Sequence, residues 1–253
     1  MQYVFAIGNK RSGTSLLVRL LNAHPSLLIT HESDILWLLY CFEHNLPFEK
    51  HPDDGFKGAS FTLERARHLF TRDRSVREIF EAVQRLLLST GSPWLPPEKF
   101  DGIFCLGDKK PVQMTDERVF QYALQNFPGC KFIHVMRDPV DWLVSYQNRV
   151  EGPKKDIHEL LAFWLRIEQR VMLLRQRAEI CSLTYESLCK NTEAIAKNIF
   201  AFLGLDTRLS DLKFEPTRHK TYRQSIHAQL PAEVEAFWQN QKEILDARHG
   251  HHE

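Results

Sequence analysis

Apolar residues along this 253-residue chain alternate between two spacings. Five short, mainly apolar segments, 3–7, 27–30, 102–106, 131–136 and 180–184, read as strands of a sheet, the first of them a continuous apolar run. Between them the spacing becomes helical. Leu16, Leu17, Leu20 and Leu21 form one stripe, ending near Asn22–Pro25, and Val76, Ile79, Phe80, Val83, Leu86 and Leu87 form another. A long helix is predicted at about 157–178 and a shorter one at about 192–203, stopped by Gly204. This alternation predicts an α/β fold: a single domain with a five-stranded parallel sheet flanked by helices. The excursion 33–100 holds the turn-rich stretches Pro52–Gly58 and Gly91–Pro97 and helical periodicity between them. An insertion there is expected to wall the ligand crevice at the strand C-termini. The domain is expected to span 1–248, and 249–253 to be a disordered tail.

The first strand runs into Gly8-Asn-Lys-Arg-Ser-Gly-Thr-Ser15 and then the first helix, so backbone amides and a helix N-terminus converge on an anion site. The spacing is that of a P-loop NTPase, G-x-x-x-x-G-K-[ST], but Thr14 stands where that loop has its lysine. Positive charge sits inside the loop instead, at Lys10 and Arg11. This argues for a phosphate-bearing ligand handled without the usual metal–triphosphate arrangement. Further on, Arg137 leaves the fourth strand, Asp138-Pro139 opens a helix, and Ser145 and Arg149 share one face of it.

Arg11-Ser-Gly-Thr-Ser15 with Asn22-Ala-His-Pro25 resembles the 5′-phosphosulfate loop of sulfotransferases that use 3′-phosphoadenosine 5′-phosphosulfate (PAPS). Phe132–Pro139 through Ser145 to Arg149 is similar to that family's 3′-phosphate element, and Leu183-Thr-Tyr-Glu-Ser-Leu188 to its Tyr-Glu-x-Leu motif. The likeness covers roughly residues 1–205, and the loop and base pattern is nearer the protein-tyrosine and carbohydrate type than the cytosolic type. It implies a PAPS-dependent enzyme that releases adenosine 3′,5′-bisphosphate and needs no metal. Arg11, Ser12, Gly13, Thr14 and Ser15 would hold the 5′ end of the donor, Arg137, Ser145 and Arg149 its 3′-phosphate, and Tyr185 the adenine side.

The same resemblance implies three catalytic residues. Arg11 would neutralise charge building on the leaving phosphate. Glu32, placed relative to Arg11 as is the catalytic glutamate of protein-tyrosine sulfotransferases, would be the general base. Lys109, in a Lys-x-Pro element, would reach the transferring sulfonate. His31 is the chemical rival for the base, since imidazole ordinarily titrates near neutrality. Neighbours on an extended segment face opposite ways, so one of the two is expected to enter the cleft. The bland alternatives are a helix-terminal carboxylate at Glu32, a solvent-facing Lys110 and a core tyrosine at Tyr185.

Composition narrows the remaining classes. A net charge of +1 predicts no global attraction to nucleic acid or anionic membrane. The longest apolar run, Ile35–Phe42, is too short to span a bilayer, and the first strand follows Met1-Gln2 directly, so a cytoplasmic protein is expected. The five scattered cysteines predict reduced thiols rather than a disulfide framework. The expected acceptor is a small molecule or carbohydrate bearing a hydroxyl. Trp37, Trp94 and the Phe56–Phe61 stretch offer either a stacking wall for it or plain core. Thr217–Arg223 departs from the family pattern and is left outside the site. Two other functions fit the residues: a small-molecule kinase with Mg–ATP held by Ser15 and Asp108, and an inactive nucleotide-binding module.

Overall fold

A computed structural model describes residues 1–53, 57–89, 102–148, 156–206, 208–212, 214, 215, 221 and 230–249. Its strands are β1 (Gln2–Ile7), β2 (Leu27–His31), β3 (Cys105–Lys109), β4 (Lys131–Met136) and β5 (Ile180–Thr184). They form one sheet in the order β2-β3-β1-β4-β5, and β3 runs parallel to both β1 and β2. The helices are α1 (Thr14–Ala23), α2 (Ile35–Glu43), α3 (Lys57–Ala66), α4 (Val76–Ser89), α5 (Glu117–Asn126), α6 (Pro139–Gln147), α7 (Ile157–Leu174), α8 (Tyr185–Lys190), α9 (Thr192–Phe202) and α10 (Ala232–His249). The α/β class and the five parallel strands are therefore as expected.

The chain divides into two compact units, residues 1–7 with 17–133 and residues 8–16 with 134–253. The first unit is centred on aromatic packing, where Tyr3, Phe5, Phe80 and Phe127 meet edge to face at centroid distances of 4.7–6.0 Å. In the second, Met136, Trp142, Leu160, Leu161 and Trp164 bury against Val234, Trp238 and Leu245 of α10.

β3 lies three residues later than expected, continuing through Gly107, Asp108 and Lys109. Gly107 is what permits this, because a Cβ there would overlap the Val4 carbonyl oxygen of β1. The polar pair beyond it stays in the strand because partners on β2 and after it satisfy both charges, as described below. α7 ends at Leu174, four residues early, and α5, α8 and α10 have no counterpart in the sequence reading. Tyr185 follows β5 and opens α8, since Thr184 Oγ1 accepts the Ser187 amide at 3.1 Å and caps the helix. α10 reaches His249, the first residue of the expected tail, and 250–253 lie outside the described residues. All five cysteines are free, and Cys41, Cys105 and Cys130 are buried. Among the described residues no helix is long and apolar enough to cross a membrane.

Candidate functional site

The loop between β1 and α1 is gripped from β4 and α6. Asp138 caps α6 by accepting the Val140 and Asp141 amides at 2.9 and 3.2 Å, with Pro139 in the first turn. That helix start aims Trp142 at the loop, where its Nε1 donates to the Lys10 carbonyl at 2.7 Å. Arg137, at the end of β4, donates to the Arg11 carbonyl at 3.2 Å, and Arg11 donates to Ser145 Oγ at 3.3 Å. Arg11 holds a φ of 71°, a left-handed conformation rarely adopted by a bulky residue. Two separate sequence motifs are thus brought to one place. Thr14 and Ser15 fall in the first turn of α1, and Ser12 is fully buried with no hydrogen-bond partner for its hydroxyl among the described residues.

Tyr185 and Glu186 complete this side. The Arg137 guanidinium lies 4.5 Å from the Tyr185 ring centroid, and a Cβ on Gly13, whose φ is 96°, would overlap the same ring. Tyr185 is therefore a floor beneath the loop and Arg137. Glu186 Oε1 accepts the Asp138 amide at 3.1 Å, and burial, with the Asp138 charge beside it, pushes its carboxyl up to about 7. Arg149 lies outside the described residues, and of the segment 218–223 only Thr221 is described.

A buried polar chain beneath the loop was missed in the sequence. Asn9 donates from Nδ2 to Glu168 Oε1 at 2.9 Å and to the Trp164 carbonyl at 3.0 Å. His134 Nε2 lies 2.8 Å from Glu168 Oε2, its Nδ1 is 3.3 Å from Ser182 Oγ, and Arg175 donates to that hydroxyl at 3.0 Å. The legible signal was Glu168 itself: it stands four residues from Trp164 on the stripe that α7 buries.

In the other unit, charges gather at the ends of β2 and β3. Glu32 directly follows β2, and its amide donates to the Lys109 carbonyl at 3.1 Å. Its carboxylate pairs with Lys109 through Oε1 and with Lys110 through Oε2, the latter at 3.1 Å. Burial acts to raise the Glu32 carboxyl, but the two ammonium groups prevail and hold it near 2. Burial, reinforced by Lys109, lowers His31 to about 4. Asp108 is wholly enclosed, accepts Thr30 Oγ1 at 2.8 Å and is shifted upward by that burial, so its carboxylate is already committed.

Three sequence expectations are corrected here. Lys110 is 6% exposed and engaged, not a solvent-facing neighbour. Glu32 does not serve the α2 N-terminus, because its carboxylate is turned to the lysines. The strand-alternation argument separating His31 from Glu32 also fails, because Glu32 takes a φ of 59° and has left the extended conformation. Trp37 belongs to the core: it is 6% exposed and its Nε1 donates to the Glu49 carbonyl at 2.7 Å. Phe56 and Trp94 lie outside the described residues.

A parallel sheet in this strand order, with a glycine loop leaving the central β1 for a helix, defines the P-loop-like class of α/β proteins. The profile of the sulfotransferase family matches residues 3–209, and the chain belongs to that family. The sulfotransferase domain of the Synechococcus PCC 7002 olefin synthase superposes with a TM-score of 0.58 at 19% identity, covering 95% of this chain and 94% of that one. A sulfotransferase from Alicyclobacillus acidocaldarius gives 0.55 at 19% identity, covering 98% and 94%. The sulfotransferase domain of the curacin biosynthetic pathway gives 0.54 at 15% identity, covering 98% and 96%. No curated protein matches the sequence significantly.

Proposed function

We propose that residues 1–248 transfer a sulfonate group from PAPS to a hydroxyl of a small-molecule or carbohydrate acceptor. The observation carrying this reading is the convergence of Arg11, Arg137 and Ser145 around one loop, with Arg137 Nε and Ser12 Oγ buried and without hydrogen-bond partners among the described residues. Buried donors are costly unless something accepts from them, and phosphate oxygens suit a guanidinium fork. Arg11 to Ser15 are assigned to the 5′ end of the donor and Arg137 and Ser145 to the 3′-phosphate, and the family resemblance adds Arg149 to the latter group. Tyr185 is assigned to the adenine side through the ring that also supports Arg137.

Glu32 takes the acceptor's proton as the hydroxyl oxygen bonds to sulfur. The bond from sulfur to the phosphate oxygen breaks, and adenosine 3′,5′-bisphosphate leaves with its new charge met by Arg11. A carboxylate held near 2 by two cations is a weak base. If Lys109 turns to the sulfonate oxygens, Glu32 loses one of those cations and gains basicity when it is needed. The kinase alternative is disfavoured because Asp108, its metal-binding candidate, is enclosed and hydrogen-bonded to Thr30.

A thermal-shift comparison tests the reading. Adenosine 3′,5′-bisphosphate at a hundredfold over Kd should raise Tm by roughly 5–10 °C while ATP leaves it nearly unchanged. Labelled PAPS and a panel of hydroxyl acceptors then identify the acceptor, and Glu32→Gln should lower turnover about 10²–10⁴-fold. Stabilisation by Mg–ATP alone would favour the kinase. Bisphosphate binding without transfer to any acceptor would favour a binding module.

A further inference from the structure

Asp34 occupies the N-cap position of α2, where an aspartate ordinarily accepts an amide of the first turn. It makes no such bond, and Ser33 Oγ accepts the Ile35 amide at 3.3 Å. The Asp34 carboxylate is instead turned inward at 1% exposure, where Oδ1 takes the Gln113 amide and Oδ2 lies 3.1 Å from Lys110 Nζ. The same Nζ stands 3.1 Å from Glu32 Oε2, so one ammonium group bridges the two carboxylates. Lysine is rarely buried unless paired, and this side chain is 8% exposed. Both bridged residues have left-handed backbones, φ 59° at Glu32 and 56° at Asp34, with only Ser33 between them. Two such conformations in three residues, one at a residue that forgoes capping its helix, persist where tertiary contacts impose them.

The lysines are not equivalent. Among the described contacts Lys109 pairs with Glu32 through Oε1, whereas Lys110 is anchored behind by Asp34, which is itself held by the Gln113 amide. We infer that Lys110 and Asp34 are positioning residues for the Glu32 base, fixing its Oε2 side while Oε1 and Lys109 serve the reaction. This rests on the reading of Glu32 as the base. The titratable and charged groups around Glu32 are His31 from β2, Asp108 and Lys109 from β3, Lys110 after β3, and Asp34 before α2. Of these, Lys110 alone bridges Glu32 to a second carboxylate among the described contacts.

The test titrates Glu32 in the full chain by carbon-13 NMR of side-chain-labelled glutamate, with the resonance assigned from Glu32→Gln. Lys110→Met should move that titration upward by about one unit or more, because a neighbouring cation is lost. Asp34→Asn, nearly isosteric, should move it less and lower turnover of an acceptor from the panel. Lys110→Met should lower turnover about 10²-fold with the Kd for adenosine 3′,5′-bisphosphate unchanged, and Lys110→Arg should recover most of the rate. A purely structural lysine would alter Tm but not the Glu32 titration. Should Lys110→Met not fold, Asp34→Asn and Lys110→Arg carry the same test. Wild-type titration and rate in the folded variants overturn the inference, whereas full activity of Glu32→Gln overturns the base assignment instead.

Discussion

Glu168 is the residue whose loss should be felt most widely in its unit. It is 1% exposed and accepts from Asn9 at 2.9 Å while facing His134 Nε2 at 2.8 Å. Glu168→Ala removes the buried carboxylate that accepts from Asn9 and faces His134, leaving Asn9 Nδ2 with the Trp164 carbonyl alone. Losing a hydrogen bond to a buried charged acceptor costs about 1.5–3 kcal/mol. For a chain of this size each kcal/mol lowers Tm by about 2–4 °C, so a drop of roughly 3–12 °C is expected by calorimetry. Because Asn9 belongs to the loop, the bisphosphate Kd should rise in the same variant, measured by titration calorimetry below its Tm. A double-mutant cycle with Asn9→Ala separates this from simple cavity formation and should give a coupling of about 0.5–3 kcal/mol. A loss under about 1 kcal/mol, or additivity within about 0.5 kcal/mol, would refute the claim that this chain holds the loop.

Other expectations concern neighbouring residues. Gly13→Ala would force a methyl group into the Tyr185 ring at a φ of 96°, so bisphosphate binding should fall at least tenfold, and a second change, Tyr185→Ala, should restore only part of it because φ stays unfavourable. Arg137→Ala removes both the grip on the Arg11 carbonyl and the stack on Tyr185, and should weaken the bisphosphate by about 1.5–3 kcal/mol while leaving adenosine 5′-phosphate less affected. Glu186 sits near 7 when folded against an ordinary value of 4.5, so the native state binds more protons between those values and stability falls as pH rises through that window. Glu186→Gln should flatten that slope in urea denaturation followed from pH 4.5 to 7.5, and an unchanged slope would show that the carboxyl is not held up.

The strands β1, β2, β4 and β5 are legible because a largely buried strand writes itself as a short, mainly apolar segment. β3 was read three residues early because its C-terminal half is Gly107-Asp108-Lys109, which no hydrophobicity pattern marks as strand. α10 went unread since polar residues interrupt its apolar positions, yet Val234, Trp238 and Leu245 are buried. A solvent-facing Lys110 is what the ordinary preference of lysine suggests, and that preference holds unless a carboxylate waits inside. Here there are two, Glu32 and Asp34.

Sequence alone determined the alternation of strands and helices and the glycine loop without its lysine, because periodicity and covalent spacing survive in a linear string; Arg11, Glu32, Lys109 and Arg137 were singled out by resemblance to the sulfotransferase family. Only the tertiary structure decided which charges meet. Glu32 and Lys109 are 77 residues apart in the chain and Asn9 and Glu168 are 159, so their pairing follows from the packing of whole elements. Acidity is decided at the same level: the same carboxyl chemistry sits near 2 at Glu32 and near 7 at Glu186, because one lies between two ammonium groups and the other is buried beside a second carboxylate.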